Sequence, residues 1–309
     1  MKFGLGVPAL MLYPPVMSNW ERDVKPQDIS RIAKKADAIG FDYLTVPEHI
    51  VMPDEMVEIM GARYPEGLSA AAFLAGATER ITLLNYVLVL PYRNPVVLAK
   101  QIATLDFLSN GRMTLGTASG HLEREFEILG VPYHERGKIT DEYLAAIIEL
   151  WTSDHPSFQG EYVQFDKIHF EPKPISKPHP PILIGGNSKP AMRRAARVGD
   201  GWLPWLITSD KLPDALTYIK EQPGYGDVNR PFDVVLPMAL LNVEDYSHRE
   251  LGKTRAPRSK EAILEQLGLL GRACVTTTLV GPPKTPDAEK YLEWFDWFAE
   301  EVMPQAGDL

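Results

Sequence analysis

The chain has 309 residues, 45% apolar and 24% charged, with 32 Lys plus Arg against 41 Asp plus Glu for a formal net charge of −9. This globular composition excludes collagenous, low-complexity and disordered chains, and the acidic balance argues against generic nucleic-acid binding, because no surplus of positive charge exists to displace counterions from phosphates. A single cysteine, Cys274, excludes an internal disulfide framework and multi-cysteine metal clusters, and fits a reducing cytoplasm.

Residues 3–20 carry no charge over 18 positions, the threshold length for a membrane span. Gly4, Gly6, Pro8, Pro14 and Pro15 interrupt the stretch, and Pro14-Pro15 breaks the backbone bonding that a helix in lipid requires. The segment also lacks the small-residue cleavage site of a signal peptide. The expectation is a buried strand over 3–7 followed by an apolar loop, with no membrane partner.

Short apolar runs then alternate with amphipathic stretches. A first helix is predicted over 26–39, with Ile29, Ile32, Ala33, Ala36 and Ile39 on one face and Gly40 as its stop. Strand two follows over 41–46 and a helical face over 69–77. Strand three spans 81–90, rich in Val and Leu as expected when both faces are covered. Pro95 opens the next helix, whose buried stripe is read as Leu98, Ile102, Leu105 and Leu108. The alternation continues with strand 113–116, helix 140–151, strand 182–184, helix 190–198, strand 201–203, helix 212–220, strand 232–241, helix 260–270, strand 275–279 and helix 287–303. Cys274, at the start of the last strand, reads as a buried core thiol.

Eight strands alternating with at least eight helices imply a parallel sheet that closes as a (β/α)8 TIM barrel. A doubly wound open sheet is the rival, yet the first turn, Val7-Pro8-Ala9-Leu10, is not the Gly-rich one such sheets display. A barrel takes about 250 residues. The surplus falls between strands four and five as an insertion at about 122–181, including a segment over 171–181 with five prolines. The whole chain, 1–309, is expected to be one domain.

Function in such a barrel lies on the loops after the strands' C-terminal ends. Those loops are Pro47-Glu48-His49, Pro91 to Pro95, Thr117 to His121, Gly185 to Pro190, and Pro204-Trp205. In the fourth, Gly185 and Gly186 let backbone N–H groups approach a ligand, Asn187 or Ser188 can cap the next helix, and Pro190 suits its first turn. A helix N-terminus of this kind attracts phosphate. Lys189, Arg193, Arg194 and Arg197 add four positive charges with no acid among them; the alternative is a tight turn followed by a solvated basic face.

His49 and His121 are the candidate acid/base residues, since imidazole titrates near neutrality; a structural histidine at either position is the alternative. Glu48 either orients His49 or faces solvent. Trp202 and Trp205 either line a flat cofactor or fill the barrel rim. His134, His155, His169, His179 and His248 are scattered without metal-ligand spacing, and no metal site is expected. No Gly-x-Ser-x-Gly elbow or paired-cysteine motif occurs.

The run Leu88 to Pro95, with Leu108-Ser109-Asn110-Gly111-Arg112 and Leu115-Gly116-Thr117-Ala118-Ser119-Gly120, resembles the bacterial luciferase-like monooxygenase superfamily. Pro178 to Ser188, with Gly199-Asp200-Gly201-Trp202, resembles its coenzyme F420-dependent oxidoreductase branch. The resemblance implies a TIM barrel holding a deazaflavin or flavin at its C-terminal face and transferring hydride to or from a small organic substrate. It implies that Gly185, Gly186, Asn187 and Ser188 hold the cofactor phosphate, with Ser119 and Gly120 also in the cofactor site. It further implies a cis non-prolyl peptide near Tyr86-Val87, at a strand-three bulge behind the ring. His49 matches the family histidine near the reactive ring. The family often has Asp before it, where this chain has Glu48. At position 121, where relatives carry Glu or Trp, this chain has His121. F420 is the expected cofactor and a homodimer the expected assembly; an FMN-dependent monooxygenase and a non-catalytic flavin- or ligand-binding barrel are the alternatives.

Overall fold

The computed structural model describes residues 1–226, 231–240 and 259–308. Leu241, at the end of the predicted seventh strand, and His248 lie outside the described residues. The strands are β1 (Lys2–Gly6), β2 (Tyr43–Val46), β3 (Thr82–Asn85), β4 (Leu88–Val89), β5 (Met113–Ala118), β6 (Phe158–Gln159), β7 (Gln164–Phe165), β8 (Ile182–Gly185), β9 (Gly201–Leu203), β10 (Asp233–Pro237) and β11 (Thr277–Val280). The helices are α1 (Pro26–Ile39), α2 (Asp54–Met60), α3 (Gly67–Ala77), α4 (Pro95–Leu108), α5 (Glu123–Leu129), α6 (Arg136–Thr152), α7 (Lys189–Val198), α8 (Leu212–Lys220), α9 (Lys260–Arg272) and α10 (Ala288–Glu301).

Parallel pairing runs from β1 through β2, β3, β5, β8, β9 and β10 to β11, which returns to β1. The ring closes between β3 and β5, at Leu83 against Met113 and Leu84 against Thr114. The result is an eight-position (β/α)8 barrel, as the alternating pattern predicted. Tyr43, Leu84, Leu183, Leu203 and Val235 meet inside it, one from each of five strands, and the larger apolar layer lies between strands and helices. In that outer layer Phe3 meets Phe298 edge-on at 5.2 Å between ring centroids, which ties β1 to α10.

Predicted strand three is two strands, because a bulge interrupts it. Leu84 pairs with Thr114 and Leu88 with Thr117, four residue steps against three, so one extra residue is accommodated on the β3–β4 side. The peptide bond inside this step, Tyr86-Val87, is cis. Gly116 faces the distortion, and a methyl group there would overlap the Asn85 carbonyl oxygen, so the sheet closes at this point only over a residue without Cβ.

The stripe of α4 is corrected in its last turn. Leu98, Ile102 and Leu105 are buried, but Leu108 is 73% exposed and Ser109 takes the buried position. Three turns of 3.6 residues from Leu98 reach 109, not 108. Cys274 is also corrected: it is exposed, with φ +64° in the left-handed turn that ends α9, and burial resumes at Ala273 and Val275 on either side.

The surplus between β5 and β8 is not all insertion. α6 packs on α4 as the barrel's regular fourth helix, with Trp151 Nε1 donating to the Ala99 carbonyl at 3.0 Å. The additions are α5, the antiparallel hairpin β6–β7 and the proline-rich segment that leads into β8. No helix among the described residues is long and apolar enough to cross a membrane. The initial apolar stretch is β1 followed by a loop.

Candidate active site

Because the barrel strands are parallel, the loops after β2, β4, β5, β8 and β9 emerge at one end. Two clusters form there. The first surrounds His49. His49 Nδ1 lies 3.0 Å from Glu125 Oε2, with the histidine side chain 10% exposed and the carboxylate fully buried. The same carboxylate accepts from Ile50 N at 2.6 Å, Val51 N at 3.2 Å and the Tyr92 hydroxyl at 2.7 Å. Tyr64 stands edge-on to His49 at 4.7 Å, and His121 does the same at 5.9 Å.

The structure therefore brings His49 and His121 together. Burial alone raises the Glu125 carboxyl, but hydrogen bonds from His49, Tyr92 and the Ile50 N–H outweigh it and hold the group below its ordinary value of 4.5. Burial and the bonded Glu125 both push the Tyr92 phenol up. His121 is open to solvent at the mouth, yet desolvation by the surrounding walls comes first in lowering it below 6.5; His49 adds to the effect and Glu125 opposes it.

Glu48 does not orient His49. It is buried, accepts from the Gly67 N–H at 3.1 Å and the Val89 N–H at 3.4 Å, and receives both Arg93 terminal nitrogens, Nη1 at 2.8 Å. Arg93 also reaches Glu66, which caps α3 by accepting from Leu68 N and Ser69 N. Burial opposes the Arg93 charge, but the two carboxylates hold its pKa above the usual value. Glu48 thus fastens the start of α3 and the β4 loop to the floor of the site. The acid bonded to His49 is Glu125, which sequence reasoning missed. Its signal was present: Leu122, Glu125, Phe126 and Leu129 follow helical spacing, so an acid occupies an otherwise apolar stripe.

The second cluster is the β8 loop. Gly185 is buried, and a Cβ there would lie 3.3 Å from both the Val87 and Ala118 side chains. Gly186 adopts φ +109°, and its carbonyl accepts from Trp202 Nε1 at 2.8 Å. Trp202 is wholly buried and braces the glycine turn through this bond. Asn187 clamps the neighbouring loop: its Oδ1 accepts from Trp205 N at 3.0 Å and its Nδ2 donates to the Trp205 carbonyl. Ser188 caps α7, accepting from Ala191 N at 3.3 Å. Trp205 stays 39% exposed at the rim, 6.5 Å from the Tyr86 ring.

Tyr86 and Val87, at the bulge, border the second cluster, Val87 beside Gly185 and Tyr86 near Trp205. The Tyr86 hydroxyl is buried without a hydrogen-bond partner among the described residues, and burial pushes its pKa up. Gly120 has φ +81° and leaves room that a side chain would take from Val89 and Phe126. Ser119 Oγ accepts from Arg194 Nη1 at 3.4 Å. The expected run of four unopposed charges on α7 is modified by tertiary contact. Asp141 of α6 receives Arg194 at 2.9 and 3.0 Å and Arg197 at 2.6 Å, while Arg193 bonds the Tyr218 hydroxyl and Lys189 lies over that ring.

These features fit a phosphorylated planar cofactor. Two glycines leave the β8 turn without obstructing side chains, and at the start of α7 the Lys189 N–H has no intrahelical acceptor, Pro190 carries no N–H and Ala191 N is taken by Ser188. The bulge presents Val87 beside Gly185, with a buried hydroxyl on the adjoining residue that has no partner among the described residues.

Residues 7–229 match the family described as luciferase-like monooxygenase. The uncharacterized protein Rv0940c of Mycobacterium tuberculosis is 33% identical over 215 residues, 66% of this chain and 74% of that protein. The FMNH(2)-dependent dimethylsulfone monooxygenase of Pseudomonas putida is 34% identical over 147 residues, 47% of this chain and 39% of that one. Among solved structures, the coenzyme F420-dependent tetrahydromethanopterin reductase of Methanopyrus kandleri superposes with a TM-score of 0.72 at 18% identity, covering 98% of this chain and 99% of that chain, a likeness of fold alone. With a family match across most of its length, the chain belongs to the luciferase-like monooxygenase family.

Proposed function

We propose that this protein is an F420-dependent oxidoreductase acting on a small organic substrate. The observation that carries the reading is one barrel end that combines the bulge at Tyr86-Val87, the Gly185 to Ser188 turn and the paired His49 and His121. The F420 choice rests further on the resemblance of Pro178 to Ser188 and Gly199 to Trp202 to that branch. When bound, the cofactor supplies the hydride chemistry, and the protein supplies position and proton management.

Gly185, Gly186, Asn187 and Ser188 hold the phosphate in this reading, with Ser119 and Gly120 completing the wall toward α7. Tyr86 and Val87 support the ring. His49, with Nδ1 engaged by Glu125, keeps Nε2 for the site, and His121, lowered toward its neutral form, accepts or returns a proton at the mouth. The enzyme is taken to work as a homodimer, the commonest closed assembly, which sedimentation measures directly.

Titration with F420 and separately with FMN decides the cofactor. Submicromolar binding of F420, with reduction lost in His49→Ala, is the expected result; tight binding of FMN alone overturns the F420 assignment. A second reading, an FMN-dependent monooxygenase, is favoured by the 34% identity to the dimethylsulfone enzyme. Oxygen consumption with reduced FMN identifies it. Cofactor binding with no turnover, unaffected by His49→Ala and His121→Ala, would instead mark a non-catalytic ligand-binding barrel.

A further inference from the structure

The carboxylate of Glu125 is fully buried, and among the described residues it is the one acid bonded to His49. It sits in the first turn of α5, within the segment added to the basic barrel. Four donors converge on it from two other loops: the His49 ring and the Ile50 and Val51 N–H groups after β2, and the Tyr92 hydroxyl after β4. Oε1 takes both backbone groups, and Oε2 takes the imidazole and the phenol. A carboxylate only accepts, so its bond to Nδ1 requires the proton on that nitrogen. The neutral imidazole is then an Nδ1–H tautomer, with Nε2 bare.

We infer that Glu125 is the positioning residue of the site, fixing the tautomer and ring plane of His49 so that Nε2 is the proton-accepting atom. The carboxylate also offsets the charge of the imidazolium formed when Nε2 takes a proton. This is balanced proton transfer: Nε2 gains the proton that a substrate hydroxyl or amine loses, and returns it in the reverse direction. The inference rests on the assignment of His49 to the chemistry above, but its structural half, the tautomer, is measurable without any cofactor.

Glu125→Gln retains the shape and the acceptor for Ile50 and Val51, yet presents an N–H to Nδ1 and so favours the opposite tautomer. Nitrogen-15 spectra of the apoprotein, labelled at histidine and assigned by comparison with His49→Ala, are expected to show a protonated Nδ1 and bare Nε2 at His49 in the wild type. Those roles should exchange in Glu125→Gln. Tyr92→Phe, which leaves the Glu125 contact to His49 in place, keeps the wild-type tautomer. In turnover, Glu125→Gln lowers kcat by about 10²–10⁴-fold, the usual contribution of acid–base catalysis, with cofactor affinity unchanged.

An Nε2–H tautomer in the wild type overturns the inference, even if the variant fails to fold. So does an exchange of tautomer in Tyr92→Phe, which would assign control to loop anchoring. Unchanged kcat in a folded Glu125→Gln overturns the catalytic half. Failure of F420 or FMN to bind defeats the proposed function instead and leaves the tautomer result standing.

Discussion

Gly185 and Gly186 illustrate how two adjacent identical residues answer to different constraints. At Gly185 an added methyl meets Val87 and Ala118 at 3.3 Å, a tight fit that small shifts relieve, so Gly185→Ala should fold normally and lose cofactor affinity. At Gly186 the backbone itself is the obstacle, with φ +109°. Gly186→Ala should cost about 1–2 kcal/mol in urea unfolding as well as weakening binding. Two titrating groups also make stability depend on pH. Glu125 is held below 4.5 in the fold, so its contribution is complete above 4.5 and fades as pH falls through the lower folded value. His121 is likewise held below 6.5, and the folded state resists a proton that the unfolded chain accepts, so stability declines as pH drops below 6.5. Urea midpoints across this range should lose the upper limb in His121→Gln and the lower limb in Glu125→Gln.

Elements are joined at the site by buried charge. Glu48 and Arg93 tie β2, α3 and the β4 loop together, with side-chain exposures of 0% and 14%. Glu48→Gln leaves the guanidinium underpaired and should cost about 3 kcal/mol by urea denaturation. Arg194, 4% exposed, joins α7 to α6 through Asp141, which is 42% exposed. That solvent access moderates the loss, and Asp141→Asn should cost roughly 1–2 kcal/mol in the same measurement. The helices themselves were legible because caps are local: Asn94 accepts from Val96 and Val97, Ser188 from Ala191, and Gly40 closes α1 in the left-handed conformation. The error at Leu108 came from extending an i, i+3 series where the helical repeat had moved to Ser109.

At the scale of the whole molecule, the proposed function links cofactor binding to folding, because the β8 glycine turn, the bulge and the histidine pair lie on different βα units. A ligand that needs all three binds only the folded chain. At a hundredfold excess over Kd it should add about 2.7 kcal/mol to stability, raising the melting temperature by a few degrees with the correct cofactor and not with the other. Calorimetry with F420 and FMN in parallel makes that comparison.

The sequence by itself determined the alternation of strands and helices, the barrel, the strand-end loops and the glycine turn before α7, since each depends on periodicity or backbone conformation within a few neighbouring residues. It also placed the unusual peptide at Tyr86-Val87, through a family resemblance carried by the motifs around it. Tertiary structure decided the partners of charge. Glu48, beside His49 in the chain, turned to Arg93, and Glu125, 76 positions away, took the histidine. Asp141 of α6 likewise neutralised arginines that stood unopposed in their own helix. Charged side chains taken from water are stabilised only by opposite charge and directed hydrogen bonds, and in a closed barrel those come from whichever loops meet in space.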